Sequence, residues 1–406
     1  MALIAKSDDF IIITAQRSIF VWNTKNQTHS LTEVPKIPRK NVDTSGFANV
    51  KNGKQEKNEN KDEENAEEEQ GNVEFGNINR LDISPSKQLV AVTTVGDKFL
   101  FLYQLNDGTL NLLQNVQLTR ATSIVRFTPD SKHLLIADKT GDCSILDCQN
   151  QSDNEPKWIL GHLSIVLDAL MTKDLKYVIS SDRDEKIRVT NYPLTEVIES
   201  YCLGHTEFVS AIEELKTETN ENVLASISGD RTLRLWNYVD GKELFQLELP
   251  APGLRLAKND QNELTVVLFE ENFSIGIYEL KSNENKPEVR ALGEHILDEN
   301  VKYVGSIVYE SNDSIWYTGL DENSEVILRR LEITRSNDLV QIAETNLDNV
   351  LNILKDNLPS TKLQPCEDVA QLFKTRVDNT ADYHERKKRR IELLHEKRYS
   401  KSYVKN

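Results

Sequence analysis

The chain has 406 residues, 38% hydrophobic and 28% charged, with a formal net charge of −16. That is enough for one large all-β domain or two or three ordinary ones, and so acidic a balance repels nucleic acid unless cations are gathered in one place. The four cysteines, Cys143, Cys148, Cys202 and Cys366, form no C-x-x-C pair and have no nearby His at metal-ligand spacing, which argues for reduced thiols rather than a zinc or redox site.

The first ten residues carry charge and contain no apolar stretch of the secretory kind, and no segment approaches the roughly 18 consecutive apolar residues of a membrane span. The expectation is an intracellular, water-soluble protein. Residues 10–14 and 19–22 read as a hairpin. Between residues 28 and 76 the strand pattern stops, and residues 51–70 are almost entirely Lys, Glu, Asn, Asp and Gln. Such a segment cannot bury enough apolar surface to offset chain ordering, and it is expected to be a disordered acidic insert in the first blade of a repeat fold, solvated rather than binding.

Repetition is then plain. Leu160-Gly161-His162 and Leu203-Gly204-His205 open similar units, their histidines 43 residues apart. An Asp in a tight turn recurs at Asp97, Asp142, Asp184 and Asp230, with spacings of 45, 42 and 46, each between short β-rich runs such as 89–94 and 99–103. Ser84-Pro85-Ser86 and Thr128-Pro129-Asp130 mark an earlier bend in two units. This is the period of a propeller blade. Weaker units follow at 264–280 and 304–333, and with the first hairpin they raise four clear units to seven. Closure removes exposed sheet edges, so the predicted fold is an all-β, seven-bladed WD-repeat β-propeller over residues 1–335.

Residues 336–406 are expected to form a basic, partly helical tail. Residues 347–354 have amphipathic spacing, residues 381–397 are a plausible charged helix, and residues 386–405 hold nine Lys or Arg against Glu392 and Glu396.

His205, Ser226, Asp230 and Trp236 overlap in type with a hydrolytic triad. Their repeat positions instead match the tetrad that ties the strands of a WD blade together. The preceding blade has His162, Ser180 and Asp184 but Thr190 where Trp is expected. There is no G-x-G-x-x-G after a strand, no G-x-x-x-x-G-K-[ST], no H-E-x-x-H and no G-x-S-x-G, so no catalytic, cofactor or metal residue is assigned.

Four stretches carry a specific resemblance: Ile136-Ala137-Asp138-Lys139-Thr140-Gly141-Asp142, Leu160-Gly161-His162-Leu163-Ser164, Ser181-Asp182-Arg183-Asp184-Glu185-Lys186-Ile187-Arg188-Val189 and Cys202-Leu203-Gly204-His205-Thr206-Glu207-Phe208-Val209-Ser210. In this order they resemble the non-catalytic WD-repeat subunit of the tRNA guanine-N7 methyltransferase in its animal form, most strongly over residues 134–238. The resemblance implies a heterodimer whose catalytic partner binds S-adenosylmethionine and methylates a variable-loop guanine in tRNA, while this chain carries no cofactor and positions that partner. It also implies that Arg188 is an interface cation, with Lys186 and Lys139 as neighbouring candidates; read without it, Arg188 is a solvated strand residue. The run Arg386, Lys387, Lys388, Arg389 and Arg390 is a tRNA phosphate patch, a nuclear-import signal or a charged helix face. The expected compartment is the nucleus, with the cytoplasm a second location. Two rivals stand beside this reading: a general interaction scaffold such as a ubiquitin-ligase adaptor or chromatin scaffold, and, ranked last, an enzyme built on a propeller.

Overall fold

The structure, a computed structural model, describes residues 2–38, 75–150, 155–216, 222–283, 286–336 and 339–345, together with residues 363, 365, 369–373, 387 and 388. Its strands fall into seven four-stranded antiparallel sheets, each made of four strands consecutive in the chain. These are blades 1 to 7: residues 2–33, 78–117, 122–161, 166–202, 209–248, 253–296 and 301–345. The innermost strand of each blade neighbours that of the next, and the seventh returns to the first. The chain is therefore the seven-bladed propeller that the repeat predicts. Residues 1–368 form one compact unit; residues 369–406 form a second, in which a short helix, Val369–Leu372, is described.

Sheet stacked on sheet buries both faces of the middle strands, so their apolar runs are continuous rather than alternating. Ile11-Ile12-Ile13, Val90-Ala91-Val92 and Leu224-Ala225 are all buried. Outermost strands such as Lys242–Glu248 are largely open to solvent, and their sequences are correspondingly polar. Between blades 4 and 5, Ile179, Val189 and Cys202 pack with Ile212, Leu224 and Trp236. Between blades 3 and 4, Leu135, Cys143 and Leu160 pack with Ala169, Met171 and Val178.

The innermost strands also carry a charge network. Arg126 of blade 3 pairs with Asp168 of blade 4 at 3.6 Å and with Glu213 of blade 5, which pairs in turn with Lys258 of blade 6 at 3.3 Å. Asp82 of blade 2 accepts the Phe127 N–H at 2.6 Å.

The ring closes without strand exchange, since blades 1 and 7 each keep their own four strands. At this seam the Ile4 N–H donates to Ser306 Oγ at 2.7 Å, and Thr318 Oγ1 donates to the Ala2 carbonyl at 3.0 Å. Trp22 and Trp316 meet edge to face with ring centroids 5.8 Å apart. Gly305 permits the approach, because a Cβ there would lie 2.2 Å from the Ala2 carbonyl oxygen. Leu363 joins the same region, packing in a cluster with Leu3, Val34, Ile78, Tyr303 and Leu320.

Two expected boundaries move. The insert placed at residues 28–76 within blade 1 overlaps that blade's fourth strand, His29–Glu33, whose polar sequence suits an outer strand; His29 stacks on Phe20 at 5.4 Å. The inserted segment thus connects blade 1 to blade 2, and residues 39–74 lie outside the described residues. The propeller does not end at residue 335 either, because Leu339–Thr345 pairs with Val326–Ser336 as the last strand of blade 7. The helix expected at 347–354 lies outside the described residues, as does that at 381–397 except for a helical Lys387 and Lys388.

Candidate partner-binding face

Blade 5 builds the complete tetrad. His205 is buried, with Nδ1 at 2.9 Å from Asp230 Oδ2 and Nε2 at 2.7 Å from Ser226 Oγ, which also accepts the Trp236 indole N–H at 2.8 Å. Asp230 Oδ1 accepts from the Thr232 N–H at 3.0 Å and from its hydroxyl. Burial pushes the Asp230 carboxyl up, but its bonds to His205 and Thr232 outweigh this and hold it well below the usual range. Burial also lowers His205, against the pull of Asp230, so the imidazole is neutral. These groups bind one another, and none is available for a hydrolytic step.

In blade 4 the acid is not Asp184. His162 Nδ1 lies 3.0 Å from Asp182 Oδ2, with Nε2 2.7 Å from Ser180 Oγ. The reason is local. The strands Tyr177–Asp182 and Val223–Ser228 end at equivalent positions, but blade 4 has an acid at its last position where blade 5 has Ser228, and Asp182 projects on the same side as Ser180 two residues earlier. Asp182 Oδ1 also accepts the Lys186 N–H at 3.0 Å.

The missing tryptophan changes the next residue as well. Arg188 and Arg234 hold the same register, opposite Ser180 and Ser226. Arg234 pairs with Glu243 and stands 4.0 Å from Asp230. Arg188 instead donates from Nε to Thr190 Oγ1 at 3.1 Å, the hydroxyl that replaces the indole, and from Nη1 to the Gly161 carbonyl at 3.0 Å. Among the described residues no carboxylate pairs with it, and the side chain is half-buried. Lys186 and Lys139 are exposed in the adjoining turns of blades 4 and 3, also without an acid partner among the described residues.

Apolar surface surrounds these cations. Of seven exposed large hydrophobic side chains between Trp158 and Leu203, Trp158, Leu163, Tyr201 and Leu203 lie on this side of blades 3 and 4, while Leu194, Val197 and Ile198 are at the far end of blade 4. Trp158 is 64% exposed, packs beside Gly161 and donates its indole N–H to Asp142 at 3.1 Å. Leu163 is fully exposed in the loop entering blade 4; Tyr201 lies opposite Arg188 on the outer strand, and Leu203 follows. Sequence reading missed these four residues. Their signal was an apolar side chain in a loop or on the outward face of an edge strand. Of the tail patch, Lys387 and Lys388 are exposed in a helical turn; Arg386, Arg389 and Arg390 lie outside the described residues.

The described residues hold no cluster of His, Cys, Asp or Glu suited to a metal. Burial pushes the thiols of Cys143, Cys148 and Cys202 up to about 12, which makes them inert packing groups. No helix among the described residues is long and apolar enough to cross a membrane.

The repeated four-strand blades and the His–Ser–Asp–Trp tetrad define a WD40-type propeller. A family model described as the tRNA methyltransferase TRM82 WD40 domain matches residues 3–157 and 147–296. The chain belongs to this family. It is 44% identical over 314 residues to the protein named tRNA (guanine-N(7)-)-methyltransferase non-catalytic subunit wuho of Drosophila mojavensis, covering 76% of this chain and 79% of that one. The Drosophila melanogaster protein of the same name is 40% identical over 322 residues, covering 78% and 74%. A chain in a crystal structure of the mitotic checkpoint complex matches with a TM-score of 0.59 at 14% identity, covering 79% of this chain and 84% of that one, which speaks to the fold alone.

Proposed function

We infer that this chain is the non-catalytic scaffold subunit of a tRNA (guanine-N7-)-methyltransferase heterodimer, and that the rim of blades 3 and 4 holds the catalytic subunit. The observation that carries the location is Arg188: a half-buried guanidinium without an acid, where Arg234 in the next blade has one. A buried cation is stable when paired, so the missing carboxylate belongs to the partner. Lys186 and Lys139 flank it, and Trp158, Leu163, Tyr201 and Leu203 supply apolar contact of the kind that dominates interface energetics.

A ring of rigid blades has no moving part, which suits a subunit that pre-organises another protein's catalytic loops. S-adenosylmethionine binds on the partner, and the methyl transfer to a variable-loop guanine occurs there. The basic run Arg386, Lys387, Lys388, Arg389 and Arg390 adds phosphate contacts to tRNA, and nuclear localisation follows from the same run.

Reconstitution tests the assignment. The chain alone is expected neither to bind S-adenosylmethionine nor to methylate tRNA, and to restore activity when added to the catalytic subunit. Methylation by the isolated chain, free of contaminating enzyme, overturns it. Truncation from Arg386 onward is expected to weaken tRNA binding by the complex and flatten its salt dependence, with the propeller still folded.

A further inference from the structure

Of the four tryptophans, Trp22, Trp236 and Trp316 are buried and Trp158 stands open to solvent. It lies on the outer strand of blade 3, where the register shifts: Cys143 pairs with Leu160 but Ser144 with Trp158, so Ile159 is the extra residue of a bulge. Ile159 is thereby buried in the core between blades 3 and 4, and Trp158 falls on the same side as Asp142 and Gly161. There the Asp142 carboxylate bridges two donors. Its Oδ1 accepts the indole N–H at 3.1 Å, and its Oδ2 accepts from Arg120 Nη1 at 2.8 Å. Gly161 links this group to Arg188. Its carbonyl accepts from Arg188 Nη1 at 3.0 Å, and a Cβ on it would lie 3.2 Å from Asp142 Oδ1 and 3.5 Å from the Trp158 ring.

The blade itself does not need the Asp142 carboxylate. Asp138 Oδ1 accepts the amides of the turn, from Thr140 at 2.7 Å and from Asp142 itself at 3.2 Å. The position that Asp142 holds at the head of the third strand is taken by Lys186 in blade 4 and by Thr232 in blade 5. Arg120 and Asp142 are each about half exposed, and an ion pair so placed contributes little to stability. An exposed indole N–H is satisfied by water as well as by a carboxylate, so what the bond to Asp142 adds is orientation. A large aromatic side chain already held in one rotamer loses less freedom when a partner covers it.

We propose that Trp158 is a fixed docking platform for the catalytic subunit, and that Asp142 and Arg120 are positioning residues that hold its ring for that contact. The proposal rests on the assignment of this face to the catalytic subunit and extends it from Arg188 across Gly161 to the outer strand of blade 3. With its single polar atom bonded within the chain, the indole offers an incoming protein only apolar surface. The platform therefore takes an apolar side chain, presented by the catalytic subunit next to the carboxylate that meets Arg188. A rigid tryptophan beside a charged anchor is the composition of an interface hot spot. Arg120 and Asp142 act through the ring, with Asp142 fixing the indole and Arg120 fixing Asp142.

Fluorotryptophan incorporated into the full-length chain gives each indole its own fluorine resonance, that of Trp158 being identified by its loss in Trp158→Phe. Unlabelled, purified catalytic subunit of the same species adds none. Binding is expected to shift the Trp158 resonance, and affinity is expected to fall about tenfold or more in Trp158→Ala and about threefold or more in Asp142→Ala and Arg120→Ala, with all three free chains melting near wild type. Neither Asp142→Ala nor Arg120→Ala should weaken binding further in the Trp158→Ala background, and Asp142→Asn, which keeps an oxygen for the indole N–H, should bind more tightly than Asp142→Ala. Arg188→Glu is measured alongside. If it abolishes binding while Trp158→Ala binds as wild type with an unmoved Trp158 resonance, the platform is wrong and the face stands. If Arg188→Glu also binds normally, the face is misassigned and the platform falls with it. Equal losses from Asp142→Ala in both backgrounds would mean that Asp142 touches the partner itself, and a melting temperature well below wild type would make it structural; either result overturns the positioning roles.

Discussion

Arg17 and Asp97 form an ion pair at 2.8 Å in which the aspartate side chain is fully buried, joining blade 1 to blade 2. The remaining guanidinium bonds reach the Pro35 and Gly76 carbonyls at 2.6 Å each and the Val34 carbonyl at 3.4 Å. One cation thus fastens the chain on both sides of the segment 39–74. Arg17→Ala leaves a buried carboxylate uncompensated and is expected to cost about 3–5 kcal/mol in denaturant unfolding. Replacing residues 39–74 by a short Gly/Ser linker, with both ends already held, is expected to change stability by less than about 1 kcal/mol. A large loss in the linker variant would show that the segment packs on the blades.

The blade 4 network makes a discriminating prediction. Asp182→Ala strands the His162 imidazole and is expected to cost about 1–3 kcal/mol, whereas Asp184→Ala costs less than about 1 kcal/mol. Burial raises the Asp182 carboxyl, but the bonds from His162 and the Lys186 amide prevail and set it below its ordinary value. A depressed carboxylate stabilises the fold above its unfolded pKa, and that contribution disappears as pH falls through the folded one. The gap between wild type and Asp182→Ala should therefore be full at pH 7 and close only in strong acid. Equal losses for the two variants would return Asp184 to the tetrad.

Asp82 has the opposite sign. Burial pushes its carboxyl up to about 6, against the Phe127 N–H and the Arg126 charge that favour ionisation. The folded state holds this proton more tightly than the unfolded chain, so stability falls as pH rises from the ordinary carboxylate range to about 6, and the ionised group is a standing cost above it. Asp82→Asn keeps an oxygen for the Phe127 N–H and is expected to melt above wild type at pH 7.5, with the advantage gone near pH 4. An advantage that is the same at both pH values would show that ionisation is not the cause.

Arg188 and Arg234 provide a matched pair for the interface. Arg188→Glu is expected to weaken the complex by about 2–5 kcal/mol while the free chain melts near wild type. Arg234→Ala, which breaks a contact within blade 5, is expected to lower the melting temperature and leave partner affinity unchanged. Isothermal titration with the catalytic subunit and thermal melts of the free chains decide between them; interchanged results would move the interface to blade 5.

The ring was legible because its period is written in turns: the Asp and Gly-His positions repeat whatever fills the strands between them. Polar outer strands hid the edges. His29–Glu33 lacks the apolar alternation that marks a strand, since its residues alternate between exposed and half-buried, and Leu339–Thr345 lies beyond the last unit that the sequence marked. The cations proposed for the interface were singled out only through family resemblance, because an unpaired arginine and a solvated one have the same sequence. Asp182 was misread for a related reason. Asp182 and Asp184 both lie at the end of a strand and its turn, and the acid that meets His162 is the one at the last strand position, where blade 5 has Ser228; the repeat alone points to Asp184.

The seam between blades 7 and 1 bears on how the chain reaches its folded state. With every sheet built from four successive strands, each blade can complete its hydrogen bonding as it leaves the ribosome, without waiting for a strand from the far end. Only the joining of Ala2–Ser7 to Val301–Ser311 must await synthesis of the last blade. That event is a docking of two finished sheets rather than the insertion of a strand, and it brings Trp22 onto Trp316. The indole pair marks the moment of closure, and during refolding its fluorescence should change last, after the strand signal of the blades has formed.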